Sequence, residues 1–531
     1  MRITNTMITN NTKSNINSNK LLVDKYNTQM TTQKKIAKAS ENPVIAIRSL
    51  RLSTTLSHIN QYLDNNIKDA SAWMDVTETA LNNMEDLLAD IRTQCVNGST
   101  DTKNVEDRQT ILESLKSLAT QVYTEGNADY AGKTVFTGYR TTSNLTFEDE
   151  ELETKYQIKQ SFDFNNLEEK RYYTGNVVIP EALTPTTIKC PTEIQENSYE
   201  RIRLAYNGNT ELKNFSFTIN GVKETVIETI ETATPPTTNN WVATGDPDEG
   251  LVEGKPVMSI YENEQEWEDA NSVPPVNGTK TVKDHEIVYI KETGEFIFGK
   301  GIANKLSDGK ASFDVEYTKE GFNEGELRPE YYYDCKDITD DDPTKHVTYT
   351  KENQEIHYTI ANNTTITINT QADEVFDSNI KRDVDELINV VQKALDATEK
   401  VTKIKNMMSE AQYKDKASQE MLQTYLDAAQ KEADYADDNL QKTYDQYIGR
   451  FDKYLESTNI AITNVGSVKN SLLLTQTRVE NQQMTIEELK SDNEDRDISD
   501  IIIDYYASYN AYQSSLTAAG KLGQSSLLDY I

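Results

Sequence analysis

Between Leu52 and Cys95 the chain repeats a mostly apolar step of 4, 3, 4, 3, with one extra step of 4 from Ala70 to Met74: Leu52, Leu56, Ile59, Leu63, Asn66, Ala70, Met74, Thr77, Leu81, Met84, Leu88, Ile91 and Cys95. A spacing close to 3.5 residues keeps one narrow seam facing a partner helix, here over roughly 65 Å at 1.5 Å per residue. The seam stops at Asn97-Gly98, a helix-ending pair, and a second helix is expected through Ile111, Leu115, Leu118 and Val122. Near the other end the same stagger returns. It starts with Ile380, Val384, Leu387 and Val391, crosses a polar stretch at about 400–450, and resumes as Val465, Val468, Leu472, Thr475, Val479, Gln482, Ile486 and Leu489. An acidic break, SDNEDRD at 491–497, precedes a third seam of Ile498, Ile502, Tyr505, Tyr509, Tyr512, Leu516 and Ala519.

The middle of the chain follows a different period. Eleven of the twelve prolines lie between Pro180 and Pro343, where FSFTINGVKETV alternates Phe215, Phe217 and Ile219 before an Asn220-Gly221 turn, a strong hairpin signal. IVYIKETGEFIFG, at 287–299, predicts a second hairpin around Thr293-Gly294, and SFDVEY at 312–317 alternates again. The fold class expected is mainly α with inserted β: a long antiparallel, coiled-coil-like bundle built from both chain ends, with a β-rich insert of one or two domains. The expected divisions are an assembly segment at 1–40, disordered in the monomer, and helical core halves at 41–140 and 376–490. The insert takes 141–375, and a C-terminal assembly helix takes 491–531.

Composition narrows the chemistry. With 87 acidic against 54 basic residues the formal charge is -33, which repels phosphate backbones and anionic lipid alike. No apolar run is long enough for a membrane span, and the N-terminal stretch lacks the apolar core of a cleavable signal peptide. Three widely spaced cysteines, Cys95, Cys190 and Cys335, argue against a disulfide framework or a zinc site; Cys95, on the first seam, reads as a small buried hydrophobe. The four histidines, His58, His285, His346 and His357, are scattered, and neither HExxH nor a phosphate-binding glycine loop occurs. ITDDDPTKH at 338–346 offers oxygen ligands suited to weak Ca²⁺ binding, but reads better as a solvated acidic loop. DNEDRDISD at 492–500 lacks the glycine and terminal glutamate of an EF-hand loop and reads as a hinge. No catalytic, metal or cofactor residue is expected.

Five stretches together resemble the flagellin superfamily, and within it the hook-associated protein 3 family that joins flagellar hook to filament. They are MRITNTMI at 1–8, SENP at 40–43, GKTVFTGYRT at 132–141, VGSVKN at 465–470 and SLLDYI at 526–531. The likeness covers about 1–141 and 376–531. It departs from the family at Glu41-Asn42, where two aspartates are usual, and at Ser467-Val468, where Ala-Arg is usual.

This resemblance implies a structural, extracellular subunit of the bacterial flagellum, exported unfolded through the flagellar type III channel without a cleavable signal peptide. The partners it implies are a homo-oligomeric ring, a neighbouring hook-associated protein, flagellin, and a cytoplasmic export chaperone near the C-terminus. The assembly interface is then expected at Ile3, Met7, Ile498, Ile502, Tyr505, Tyr509, Tyr512, Leu516, Ala519, Leu527 and Leu528. The helical core seam is expected at Leu52, Leu56, Ile59, Leu63, Met74, Leu81, Met84, Leu88, Ile91, Val465, Val468, Leu472, Val479, Ile486 and Leu489. Three alternatives stay open: an ordinary intramolecular bundle for the stripes, a filament subunit, and a surface adhesin that binds through 141–375.

Overall fold

The computed structural model describes residues 5–100, 104–175, 177–179, 195–219, 222–229, 240–243, 257–271, 280, 282–284, 286–309 and 311–524. Ile3, Leu527, Leu528, Cys190, His285 and the Asn220-Gly221 turn lie outside these residues.

The helices are α1 (Asn5–Thr32), α2 (Pro43–Gln61), α3 (Lys68–Gly98), α4 (Val105–Ala119), α5 (Glu264–Asn271), α6 (Lys300–Ser307), α7 (Asn379–Ser409), α8 (Lys416–Glu494) and α9 (Ile498–Gln524). A turn of π-helix, Tyr62–Ile67, links α2 to α3. The strands are β1 (Asp129–Tyr130), β2 (Lys133–Thr134), β3 (Glu151–Phe162), β4 (Glu168–Thr174), β5 (Gln195–Arg203), β6 (Asn209–Ile219), β7 (Val222–Thr229) and β8 (Asn240–Ala243). They continue with β9 (Val257–Tyr261), β10 (Glu286–Ile290), β11 (Glu295–Phe298), β12 (Ala311–Phe322), β13 (Asp334–Asp337), β14 (Val347–Tyr349), β15 (His357–Ala361) and β16 (Thr364–Thr367). The fold is therefore mainly helical, with long helices at both ends and β structure between them.

The chain divides into two compact units. The terminal unit comprises Met1–Ala72, His357–Thr367 and Val468–Ile531. Its second helix starts at Pro43, which takes the first helical position, and the Asn42 side chain accepts from Val44 N at 3.1 Å and Ile45 N at 3.3 Å. Asn42 thus caps the helix. A small core joins Ile59, Ala361 and Val479, with Tyr62, Leu63 and Ile486 packed against it. At the π-turn, Asn66 Nδ2 donates to Thr359 O at 2.6 Å, tying in the β15–β16 hairpin. This hairpin lies inside the expected 141–375 insert but groups with the terminal helices.

The sheet unit comprises Trp73–Ile356 and Ile368–Ser467. Along α3, Met74, Thr77, Leu81, Met84, Leu88, Ile91 and Cys95 are all buried. The α8 stretch that reads as polar carries a seam of its own: Leu422, Tyr425, Ala429, Ala433, Ala436, Leu440, Tyr444, Tyr447 and Phe451 are buried. Alanine and tyrosine contribute little hydropathy, so only the 3-4 spacing marks this face. Among the described residues, twelve strands form one sheet in the order β14-β13-β3-β12-β6-β7-β8-β9-β10-β11-β5-β4, with β9 and β10 parallel and the other pairs antiparallel. The sheet curls back on itself. Phe313 on β12 lies 5.8 Å from Phe296 and 5.6 Å from Phe298, both on β11, although six steps of the strand order separate the two strands. Phe215 closes the gap at 5.3 Å from Phe296 and 5.2 Å from Phe313.

The second seam is covered unevenly. Val465, Leu472 and Val479 are buried; Val468 and Ile486 are half-buried, as are Leu52, Leu56 and Leu63. Leu489 is 37% exposed and departs from the expected core. The core beneath it is the small Ile59–Ala361–Val479 cluster, which reaches no further along α8 than Ile486.

Candidate assembly interface

The two terminal helices meet through residues almost five hundred positions apart. Asn19 Nδ2 donates to Ser515 Oγ at 2.7 Å and to Ala511 O at 3.4 Å. Arg496 Nη1 donates to Gln29 Oε1 at 3.0 Å, and its guanidinium lies 5.5 Å from the Tyr26 ring centre. Residue 19 against 515 and 29 against 496 fix the pair as antiparallel.

At one end of the pair the chain is pinned by backbone. Gln33, at φ 57°, takes the left-handed conformation and ends α1. Lys35 N then donates to Glu494 O at 2.7 Å, and Arg496 N to Gln33 O at 2.9 Å. Lys34 Nζ adds bridges to Asp495 at 2.5 Å and Glu494 at 3.1 Å. The hydrogen bond from Lys34 holds the Asp495 carboxyl below its ordinary range, and the same bond raises the lysine. The acidic break is therefore only three residues long between α8 and α9, and its charges fasten the two ends of the chain together.

The faces in contact are more polar than the spacing suggests. On α1 the half-buried positions are Thr12, Ile16, Asn19, Val23, Tyr26 and Met30, with Gln29 buried; on α9 they are Asp504, Tyr505, Ser508, Tyr512, Ser515 and Ala519, with Ile501 buried. Of the expected seam, Tyr505, Tyr512 and Ala519 share this covered face. Ile498, Ile502, Tyr509 and Leu516 face solvent at 46%, 38%, 38% and 44% exposure, as does Met7 at 56%. Leu21, Ile503 and Tyr506 are also exposed. Gln29 and Ile501 are the only buried residues among the described positions of α1 and α9. Such a helix pair has little core of its own and much apolar surface left to cover. Covering it contributes roughly 1.5–3 kcal/mol per fully buried large side chain.

Chemistry of other kinds finds little foothold. Among the described residues no group of three or more His, Cys, Asp or Glu is placed to hold a metal ion. The 338–346 loop satisfies itself: Asp340 pairs with Lys345 at 2.8 Å, and Asp342 accepts from Thr344 N at 3.0 Å. Burial pushes the Cys95 thiol up to about 12, so it is not a thiolate at neutral pH.

Sequence reasoning missed a buried ionic layer inside the sheet unit. Arg201 and Arg203 on β5 face Glu168 on β4, Glu295 on β11, and Asp383 and Glu386 on α7. Arg450 of α8 bonds both Glu168, at 2.9 Å, and Asp383, at 3.0 Å, while Tyr454 OH donates to Asp383 Oδ2 at 2.8 Å. Burial alone would raise the Glu168 carboxyl, but Arg203, Arg450 and Arg201 hold it down to about 2. The anions are matched by cations, so the layer fastens the sheet to α7 and α8 rather than offering a reactive group. Its signal in the sequence is charge at period two, Glu168 with Lys170 and Arg201 with Arg203.

Residues 3–141 match the family model of the bacterial flagellin N-terminal helical region. No curated protein matches the chain. Among solved structures, a putative flagellar hook-associated protein from Vibrio parahaemolyticus is 12% identical, with 86% of this chain and 100% of that chain covered and a TM-score of 0.35. Flagellar hook-associated protein 3 from Legionella pneumophila is 11% identical, with 83% and 97% covered and a TM-score of 0.28. FlgL from Xanthomonas campestris is 10% identical, with 82% and 99% covered and a TM-score of 0.24. TM-scores this low establish neither a shared fold nor a shared function.

Proposed function

We propose that this chain, whose residues 3–141 match the flagellin N-terminal helical region, is a structural subunit of the bacterial flagellum, and that it forms the junction between hook and filament. The match carries the flagellar reading: it runs from the start of α1 to Thr141, just past the point where the helical segment gives way to β structure. The junction role draws on the MRITNTMI and SLLDYI stretches, which resemble hook-associated protein 3 more than a filament subunit.

The mechanism is assembly. The α1–α9 pair stacks axially on its counterparts in neighbouring subunits of a ring. There Met7, Ile498, Ile502, Tyr509 and Leu516, exposed in the single chain, gain cover, as do Ile3, Leu527 and Leu528. A hook-associated protein and flagellin lie on either side, and an export chaperone covers the C-terminal helix before export. No described helix is long and apolar enough to cross a membrane. The reaction-free role follows from the same reading: the subunit works by packing, without a cofactor.

Deletion of the gene tests this reading. The expected outcome is complete hooks, no filaments, and flagellin shed into the medium. Flagellin absent from both cell and medium would instead make the chain the filament subunit, and normal filaments would overturn the flagellar role altogether.

A further inference from the structure

Net charge is distributed unequally between the two units. The terminal unit holds fifteen Lys and Arg against fourteen Asp and Glu, whereas the sheet unit holds thirty-nine against seventy-three. The segment that has to approach other copies closely is thus nearly neutral, and almost all of the charge that repels copies from one another lies elsewhere. Within the terminal unit the charges are in turn separated by helix.

Two helices of this unit carry a second apolar ridge, on the side away from their shared core. On α2, Val44, Ile47 and Leu50 are 76%, 54% and 68% exposed, and Arg48 and Arg51 flank them. On α8, Leu473, Leu474 and Met484 are 51%, 75% and 59% exposed, beside Glu480, Glu487 and Glu488, with Arg478 the one basic residue of the stretch, so that its net charge stays negative. Arg48, Arg51, Glu487 and Glu488 are exposed and have no ionic or hydrogen-bonded side-chain partner among the described residues. The inner faces of the same two helices already hold each other through Ile59 and Val479, with Gln483 Nε2 donating to Asn60 Oδ1 at 2.9 Å and Asn493 Nδ2 to Ile45 O at 3.1 Å. The outer ridges therefore point away from one another and cannot meet within one chain.

We infer that the apolar, basic ridge of α2 in one copy docks on the apolar, acidic ridge of α8 at 473–488 in the next copy. The charges are complementary, two arginines against two glutamates, and the apolar positions match in kind. Because the two surfaces differ, the contact is head-to-tail. Repeated around an axis it builds a ring or a helix rather than a closed two-fold dimer. The inference rests on the proposed assembly of this chain in the flagellum and adds to it a lateral contact distinct from the α1–α9 faces.

Sedimentation of the full-length chain at rising concentration, up to the millimolar range, tests it with charge reversals at exposed positions. Arg48→Glu with Arg51→Glu, or Glu487→Arg with Glu488→Arg, is expected to weaken self-association at least ~10-fold, as like charges then face each other. The four substitutions combined should restore it to within about threefold of the unmodified chain, and added salt should weaken the unmodified contact. Circular dichroism of each variant checks that folding is retained. Three results would overturn the contact: no self-association at any concentration, association unchanged by either reversal, or a combined variant no better than its halves. The second would mean that these ridges serve a different protein. The flagellar reading is judged separately, by whether the unmodified chain is present in isolated flagella.

Discussion

Asn19 and Ser515 share a 2.7 Å hydrogen bond at the middle of the helix pair that joins the two ends of the chain. A polar contact stands where a self-sufficient coiled coil would place leucines. Replacing Asn19 with Ala removes this bond and the weaker one to Ala511 O. The expected loss is about 0.5–1.5 kcal/mol, enough to melt part of a pair with so small a core. Ellipticity at 222 nm of the N19A monomer should fall relative to the unmodified monomer, with the sheet-unit signal unchanged.

Arg496 joins the two helices, meeting Gln29 and the Tyr26 ring on α1 and Asp504 on α9. A lysine keeps the charge but cannot bond Gln29 and Asp504 together while lying over a ring. Both Arg496→Ala and Arg496→Lys are therefore expected to release α1. Limited proteolysis of the monomer checks this: cleavage in the 33–42 connection should accelerate several-fold in both variants. If the lysine variant were as resistant as the unmodified chain, charge alone would be holding the helix.

In the sheet unit Asp383 is fully buried between Arg203, Arg450 and Tyr454. Asp383→Ala leaves Arg203 and Arg450 sharing Glu168 as their remaining carboxylate, at a cost of roughly 3 kcal/mol. Urea unfolding followed by tryptophan fluorescence should show a midpoint lowered accordingly. Asp383→Asn, which can still accept one bond, should fall between the two.

Acid should loosen the same layer. Glu168 is held down to about 2 against burial by Arg203, Arg450 and Arg201, and Glu264 to about 2 by Lys170, Lys280 and Lys393. A carboxyl whose folded value lies below its unfolded value of 4.5 contributes stability that is complete above pH 4.5 and is lost as pH falls toward 2. Thermal unfolding between pH 5 and 2.5 should show a falling midpoint for the sheet unit. Glu168→Gln should flatten that dependence while lowering stability at pH 7.

The helical architecture was open to reading because one physical rule governs it: a seam of period 3.5 must face a partner. From Met74 to Cys95 that rule suffices, since α3 is covered along this length by other elements of its unit. On α9 the spacing marks a stripe that the single chain covers only in part. The covered side includes Ser508 and Ser515, while Ile498 and Ile502 are left outside, and hydropathy cannot rank a serine above an isoleucine. The Ala and Tyr seam of α8 escaped for the same reason. The ionic layer escaped because each charge pairs across long sequence distances, as Arg201 does with Glu386, and no local pattern encodes its partner. The curled sheet could be read only as separate hairpins, since strand order is set by contacts between segments hundreds of residues apart.

Amide hydrogen exchange, read segment by segment in the purified monomer and in isolated flagella, tests most directly whether neighbouring copies complete the terminal helices. Coupled assembly predicts that amides of Asn5–Thr32 and Ile498–Gln524 exchange rapidly in the monomer and slow by ~100-fold or more on assembly, while those in the buried part of Lys68–Gly98 are protected in both. Equal protection of the two terminal helices in monomer and assembly would contradict it.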